Sequence, residues 1–447
     1  MNKKLNEIIN NPKKSLFKLS IPIMLAMSVQ ILYNIVDTAF VGRLGSESIA
    51  ALTFSLPIFF IIIGISIGLG TGVSSLIARQ IGANEIKDAK KTAINGFIIA
   101  IFCGITFTII GLTFIEPLLT IFGVDKNIMP LALSYLKIIL YSTIFFFMVG
   151  SINAIINGQG LTKYSTIIQI FGLITNIILD PILIYTLNYG VKGAAIATLI
   201  SVSLSMVLGI IIIYKVKKIK IKINFKKIDI NKKIIKAILK VGFPTMIVQL
   251  LFSSYVLIIN RFMSKYGVDY VSSMGLVYRL ESVAIMPIIA VSIGMLTMVG
   301  MYFGAKQKKL IKEIINYSLK ISINYMLFLG IILFFFSQFF FKIFTNEPQL
   351  LNLASNLMKI NVFTFPLIAT IILISKALQA MGDGISGLII ISSRIIIIFI
   401  PLSYLFVNIL QLNYLSVAIA MVISAIISTI IAIFLLNKNY KKLNLID

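Results

Sequence analysis

The sequence predicts an all-α polytopic membrane protein: twelve transmembrane helices in two parallel six-helix repeats, forming two lobes around a central cleft. Three observations carry that prediction. Of 447 residues, 59% are hydrophobic and 12% charged, about half the charge fraction of a soluble domain. The apolar residues fall into twelve stretches long enough to cross a bilayer, which takes roughly 20 residues. The two halves of the chain also match each other at a constant offset.

The first span covers 16–40, after an N-tail with five lysines through Lys18, and Arg43 follows it. The second covers 49–78 and ends in a segment, 79–91, with four basic residues. Gly64, Gly68 and Gly72 repeat every fourth residue along it, a pattern for close helix packing. The third (92–114) leads to Lys126, the fourth (131–156) to Lys163, the fifth (165–187) to Lys192, and the sixth (193–214) to the eleven lysines of 215–240. The seventh (235–260) precedes Arg261 and Lys265, the eighth (271–303) five lysines in 304–320, and the ninth (317–341) Lys342. The tenth (351–379), eleventh (387–407) and twelfth (414–436) complete the set, and three lysines lie in the C-tail. Taken alternately, the connections carry 29 basic residues on one side and 6 on the other. Positive charge stays inside, so both termini are expected in the cytoplasm and the chain in the cell membrane.

A formal charge of +25 would point to nucleic acid in a soluble protein. Here the charge sits between apolar spans, so the expected partner is the lipid bilayer and not nucleic acid; the chain is expected to be a monomer, though nothing in the sequence fixes its oligomeric state. The absence of His and the single Cys103 remove disulfides, Cys/His metal sites and His-dependent catalysis. No phosphate-binding GxxxxGK[ST] loop occurs, so ATP hydrolysis is not expected in this chain. The domains read as 1–214 and 235–447, joined by a basic cytoplasmic linker, 215–234, whose alternating Lys and Ile read as a solvated connection.

At an offset of 222, Pro22 meets Pro244, Gly72 meets Gly294, Gly82-Ala83 meet Gly304-Ala305, and Gly160 meets Gly382. Sparse Gly and Pro mark special backbone positions, so their coincidence is informative. Six spans per half make the repeat parallel, the architecture of alternating-access transporters. A cofactor is not expected, nor an enzyme.

Ionisable groups inside a bilayer cost a few kcal/mol each and usually mark function. Asp37, Asp180 and Glu281 are the acids well inside spans. Asn176 lies one turn before Asp180 on the same face. Pro181 has no N–H, which frees the Ile177 carbonyl. By helical rise, Asp37, Asp180 and Thr198 fall at one level. This oxygen-only set suits Na⁺, or H⁺ if repulsion and desolvation raise one Asp pKa. The second half has Ile259, Ile398, Leu402 and Met421 at the matching positions, so a scaffold role, which would recur, explains the set poorly. Gln30, Tyr33, Asn34 and Glu281 are cleft-lining candidates, with Arg279 and Arg394 as possible neutralising partners of Glu281. Pro22 is a helix-bending candidate.

The segments IPIMLAMSVQILYNIVDTAFVGRLGSESIAAL, GLGTGVSSLIARQIGA, NGQG (157–160), TNIILDP (175–181), YRLESVAIMP (278–287) and ALQAMGDG (377–384) together resemble the multidrug and toxic compound extrusion (MATE) family. The resemblance spans nearly the whole chain. It implies a secondary antiporter exporting cationic or amphipathic organic compounds in exchange for Na⁺ or H⁺. It also implies that Asp37, Asn176, Asp180 and Thr198 form the cation site and that Pro22 takes part in helix bending. A carboxylate in span 8, with none in spans 7 and 10, is similar to the DNA-damage-inducible F-like branch. The alternative is a lipid-linked oligosaccharide or polysaccharide flippase of the same superfamily, but such proteins commonly have more spans and a strongly cationic cavity.

Overall fold

The computed structural model describes residues 3–121, 124–125, 127–223 and 229–442. Lys126, used above for orientation, lies outside them. Among the described residues twelve helices are long and apolar enough to cross a membrane. They are α2 (Pro12–Gly42), α3 (Ser46–Gly82), α4 (Ile86–Ile121), α5 (Met129–Gly158), α6 (Thr162–Pro181, continued as a π-helix over Ile182–Thr186) and α7 (Gly190–Lys215) in the first half. In the second half they are α8 (Lys232–Met263), α9 (Val268–Gly304), α10 (Lys308–Phe341), α11 with α12 (Pro348–Asn361 and Phe365–Ala380), α13 with α14 (Gly384–Ser392 and Ile400–Tyr404) and α15 (Leu415–Lys442). A short α1, Lys3–Asn10, precedes them.

The expected spans all appear, mostly longer at both ends. Three of them are interrupted, and proline accounts for the breaks. Pro181 and Pro366 cannot donate to the carbonyls of Ile177 and Val362. A π-helix begins after the first, and a 3₁₀ turn (Val362–Thr364) joins α11 to α12 before the second. Around Pro401 the eleventh span alternates between π-helix (Ser393–Phe399, Leu405–Ile409) and α-helix.

The chain divides into two compact units, one chiefly Ile21–Gln249, the other Leu5–Ser20 with Leu250–Asp447. The divisions fall inside α2, beside Pro22, and inside α8. Within the first unit, Ile58, Ile62, Ala100, Leu136, Ile139, Leu140 and Phe147 form a buried core. The glycine stripe of α3 lets α8 approach: a Cβ on Gly72 would stand 2.3 Å from the Ile238 carbonyl oxygen, and one on Gly68 would stand 2.8 Å from that of Gly242. The second unit repeats this contact. A Cβ on Gly294 would meet Ser20 Oγ at 2.7 Å and the Leu16 oxygen at 3.5 Å, and Leu16 and Ser20 are Ile238 and Gly242 shifted back by 222.

The linker departs from the solvated connection expected of it. Ile219, Ile221 and Ile223 are each 1% exposed, while Lys217, Lys218 and Lys220 face out, the two-residue alternation of an extended strap lying on a surface. Gln159, in the NGQG turn, pins it. Its Oε1 accepts from the backbone N–H groups of Lys220 (3.0 Å) and Ile221 (2.9 Å), and its Nε2 donates to the Ile221 carbonyl at 3.3 Å. Further along, Asn95 donates to the Asp229 carbonyl (2.8 Å) and accepts from Asn231 N–H (3.0 Å), and Lys91 pairs with Asp229 at 2.9 Å. In the second unit α1 is held by buried Leu5 and Ile8, and the Tyr302 hydroxyl donates to the Ile8 carbonyl at 2.8 Å.

Candidate functional site

In the first unit the loop-side ends of α2, α6 and α7 converge. Val41, Ile184 and Ala194 pack into one buried cluster flanked by Phe40 and Tyr185. The Tyr185 hydroxyl donates to the Phe40 carbonyl, and the two rings meet edge to face at 6.3 Å. Asp37, Asp180 and Thr198 each lie four residues from a member of this cluster, one helical turn. In all three cases the turn leads away from the connecting loops. The cluster thus holds these three helical turns at a common level.

Asp180 is fully buried and Asn176 is 4% exposed. The Asn176 amide donates to Asp180 Oδ1 at 3.1 Å, as the four-residue spacing predicted. Thr198 is partly buried, with its hydroxyl donating to the Ala194 carbonyl at 3.1 Å. This bond leaves the oxygen lone pairs available to a ligand. The side chains of Tyr33, Asn34 and Asp37 lie outside the described residues; the helix that carries them does not. Gln30 is exposed on α2, and Pro22 is half-buried in a helix that runs unbroken through it.

Glu281 belongs to the second unit and to a different set of neighbours. It is 8% exposed and accepts from Asn361 Nδ2 at 3.2 Å. Asn361 ends α11, where the 3₁₀ turn starts, and the Thr364 hydroxyl donates to its carbonyl at 2.7 Å. Of the two candidate partners, Arg279 is exposed and stacks on Phe344 at 5.6 Å. Arg394 is buried, lies within electrostatic reach of Glu281, and stacks on Tyr255 at 5.4 Å. Asn361 and Tyr255 were not singled out from the sequence. Asn361 lies 80 residues from Glu281, and no local pattern links the two.

A family model described as MatE matches the chain twice, over residues 22–182 and 244–405, which reproduces the internal offset. The chain is 28% identical to a probable multidrug resistance protein NorM of Thermotoga maritima, over 96% of this chain and 93% of that one. It is 27% identical to a FAD transporter of Shewanella oneidensis, over 87% of each chain. Among solved structures it resembles an outward-facing multidrug resistance MATE transporter of the MOP superfamily with a TM-score of 0.91, at 28% identity and 97% coverage of both chains.

Proposed function

The chain belongs to the MatE family of membrane transporters, and from that membership we propose that it is a secondary active antiporter exporting cationic or amphipathic organic compounds in exchange for Na⁺ or H⁺ by alternating access. The observation that carries the reading is the fully buried Asp180 carboxylate, hydrogen-bonded to Asn176, next to the packed cluster of Val41, Ile184 and Ala194 on the helices that carry Asp37, Asp180 and Thr198. A buried carboxylate is costly unless a cation or proton compensates it. That requirement turns cation occupancy into a lever on the lobe's conformation, because a ligand shifts an equilibrium by its differential affinity for the two states. In this reading Asp37, Asn176, Asp180 and Thr198 supply the oxygens for Na⁺, or Asp37 and Asp180 take up the proton.

The relatives' names, multidrug resistance and FAD transport, favour small-molecule export over flipping of lipid-linked oligosaccharides. The test is efflux of a cationic dye from proteoliposomes under separately imposed Na⁺ and pH gradients. Export driven by one of the gradients and abolished in Asp180→Asn supports the reading. Dye movement indifferent to both gradients overturns the coupling, and export of FAD without any dye export replaces the substrate class.

A further inference from the structure

The first turns of α8 place Lys232, Lys236 and Lys240 at four-residue intervals, so they share one helical face with Leu239 and Phe243. All five are exposed, Phe243 at 58%. The opposite face carries Ile234, Ile238, Val241 and Thr245, which are buried where α8 meets the glycine stripe of α3. The lysine face therefore turns away from the protein, and the apolar side chains exposed on it belong against acyl chains. Lys233 stands beside Lys232 and is also exposed. The ion pairs among the described residues, Lys18–Glu7 and Lys91–Asp229, take in none of these four lysines.

The internal repeat offers a comparison. At the offset of 222, Lys14 and Lys18 match Lys236 and Lys240, and the exposed Phe17 and Ile21 match Leu239 and Phe243. In that copy Glu7 neutralises Lys18 at 2.6 Å, and Lys13 lies over the Tyr317 ring. The counterpart of Glu7 is Asp229, which is drawn instead to Lys91 on α4, at 2.9 Å. The ladder on α8 is thus the copy left without an acid.

We propose that this face of α8 binds an anionic phospholipid, its phosphate held by Lys236 and Lys240 and its acyl chains lying along Leu239 and Phe243. On the orientation expected from the lysine bias, the lipid belongs to the cytoplasmic leaflet. The two lysines are about 6 Å apart along the helix axis, close enough for both ammonium groups to reach one phosphate. Their long stems carry the charges to headgroup level from a face that is otherwise apolar. Four or more basic residues beside a span attract anionic lipids, by roughly fivefold in affinity for each residue. A zwitterionic lipid offers the same phosphate, but its choline cancels the charge. Net negative charge is therefore what the four lysines select.

The inference is independent of the transported substrate and of the coupling ion. The chain has no Trp, so a single introduced one reports its own surroundings. Phe243→Trp places that reporter on the lysine face, and Phe102→Trp, at a position 68% exposed on α4, serves as the control. The full-length variants are reconstituted in phosphatidylcholine bilayers. Their fluorescence is quenched with brominated phosphatidylglycerol or brominated phosphatidylcholine at equal mole fraction. At position 243 the anionic lipid is expected to bind about fivefold more tightly than the zwitterionic one, or better, whereas at 102 the two should quench alike. Adding Lys236→Gln and Lys240→Gln should remove most of the preference at 243, while Lys236→Arg with Lys240→Arg should keep it. Both side chains are exposed, so these substitutions cost the fold little. Equal quenching by the two lipids at 243 overturns the proposal, as does a preference that survives both Gln substitutions. A preference at 102 as strong as that at 243 also overturns it, since the charge of the whole chain would then be the cause.

Discussion

The Asn176 amide donates to the Asp180 carboxylate across 3.1 Å, one helical turn apart, with both side chains buried. The bond fixes one carboxylate oxygen and orients the group, which suits the proposed uptake and release of a cation.

Asp180→Asn and Asp37→Asn are each expected to abolish gradient-driven export while the protein still inserts and purifies as a single species. Asn176→Ala, which removes the orienting donor and leaves the charge, should weaken export by about tenfold, the worth of a hydrogen bond to a charged group. Dye efflux at matched expression measures all three. Near-normal export in an Asp variant removes that residue from the mechanism.

Gly72→Ala and Gly294→Ala alter repeat-related positions and should differ in cost. The new Cβ at 72 meets a backbone carbonyl at 2.3 Å, whereas at 294 its nearest neighbour is the Ser20 hydroxyl at 2.7 Å. A side chain can move aside and a helix backbone cannot, so Gly72→Ala should lose about 1–3 kcal/mol and Gly294→Ala clearly less. Adding Ser20→Ala should recover part of the smaller loss. Thermal unfolding in detergent reads the order, and equal losses would contradict the packing described.

Gln159→Leu strips the strap of its side-chain partner and leaves the N–H groups of Lys220 and Ile221 without their acceptor. The expected destabilisation is about 2 kcal/mol. Because the strap carries exposed lysines, limited trypsin digestion should also cut the variant within 217–222 faster than the wild type. Unchanged cleavage would mean that the buried isoleucines hold the strap unaided.

Orientation is checked by labelling. With Cys103 replaced by Ser, a membrane-impermeant maleimide added to intact cells should react with cysteine at position 265 and not at 220. Both positions are exposed in the structure, so failure to label reports sidedness rather than burial. Reaction at position 220 would reverse the topology.

The spans, the internal repeat and the Asn176–Asp180 pair could all be read from the sequence because each rests on local spacing or on two copies of one pattern. Gly72 and Gly294 illustrate the second case: their shared offset implied an equivalent role, and both meet helix backbone or side chain at the corresponding crossing. The environment of Glu281 could be read only in part. Arg394 was a candidate partner from the sequence, whereas Asn361 comes from another helix, and in a chain this rich in Ile no periodicity singles it out. Arg394 did carry one signal, a charge in mid-span with no acid nearby in sequence. The strap was misjudged because alternating Lys and Ile satisfies two environments at once, and composition alone counts the lysines.

The strap also bears on where the chain can be divided. It is covalently the start of the second repeat's approach, yet its isoleucines seal a surface of the first. Two fragments meeting at Val216 would leave the first with an uncovered apolar end and the second with a greasy leader, a poor pair for co-expression. A break placed after Ile223 keeps the seal with the lobe it closes. A split reporter or an inserted fluorescent domain therefore belongs beyond Ile223 rather than before Ile219.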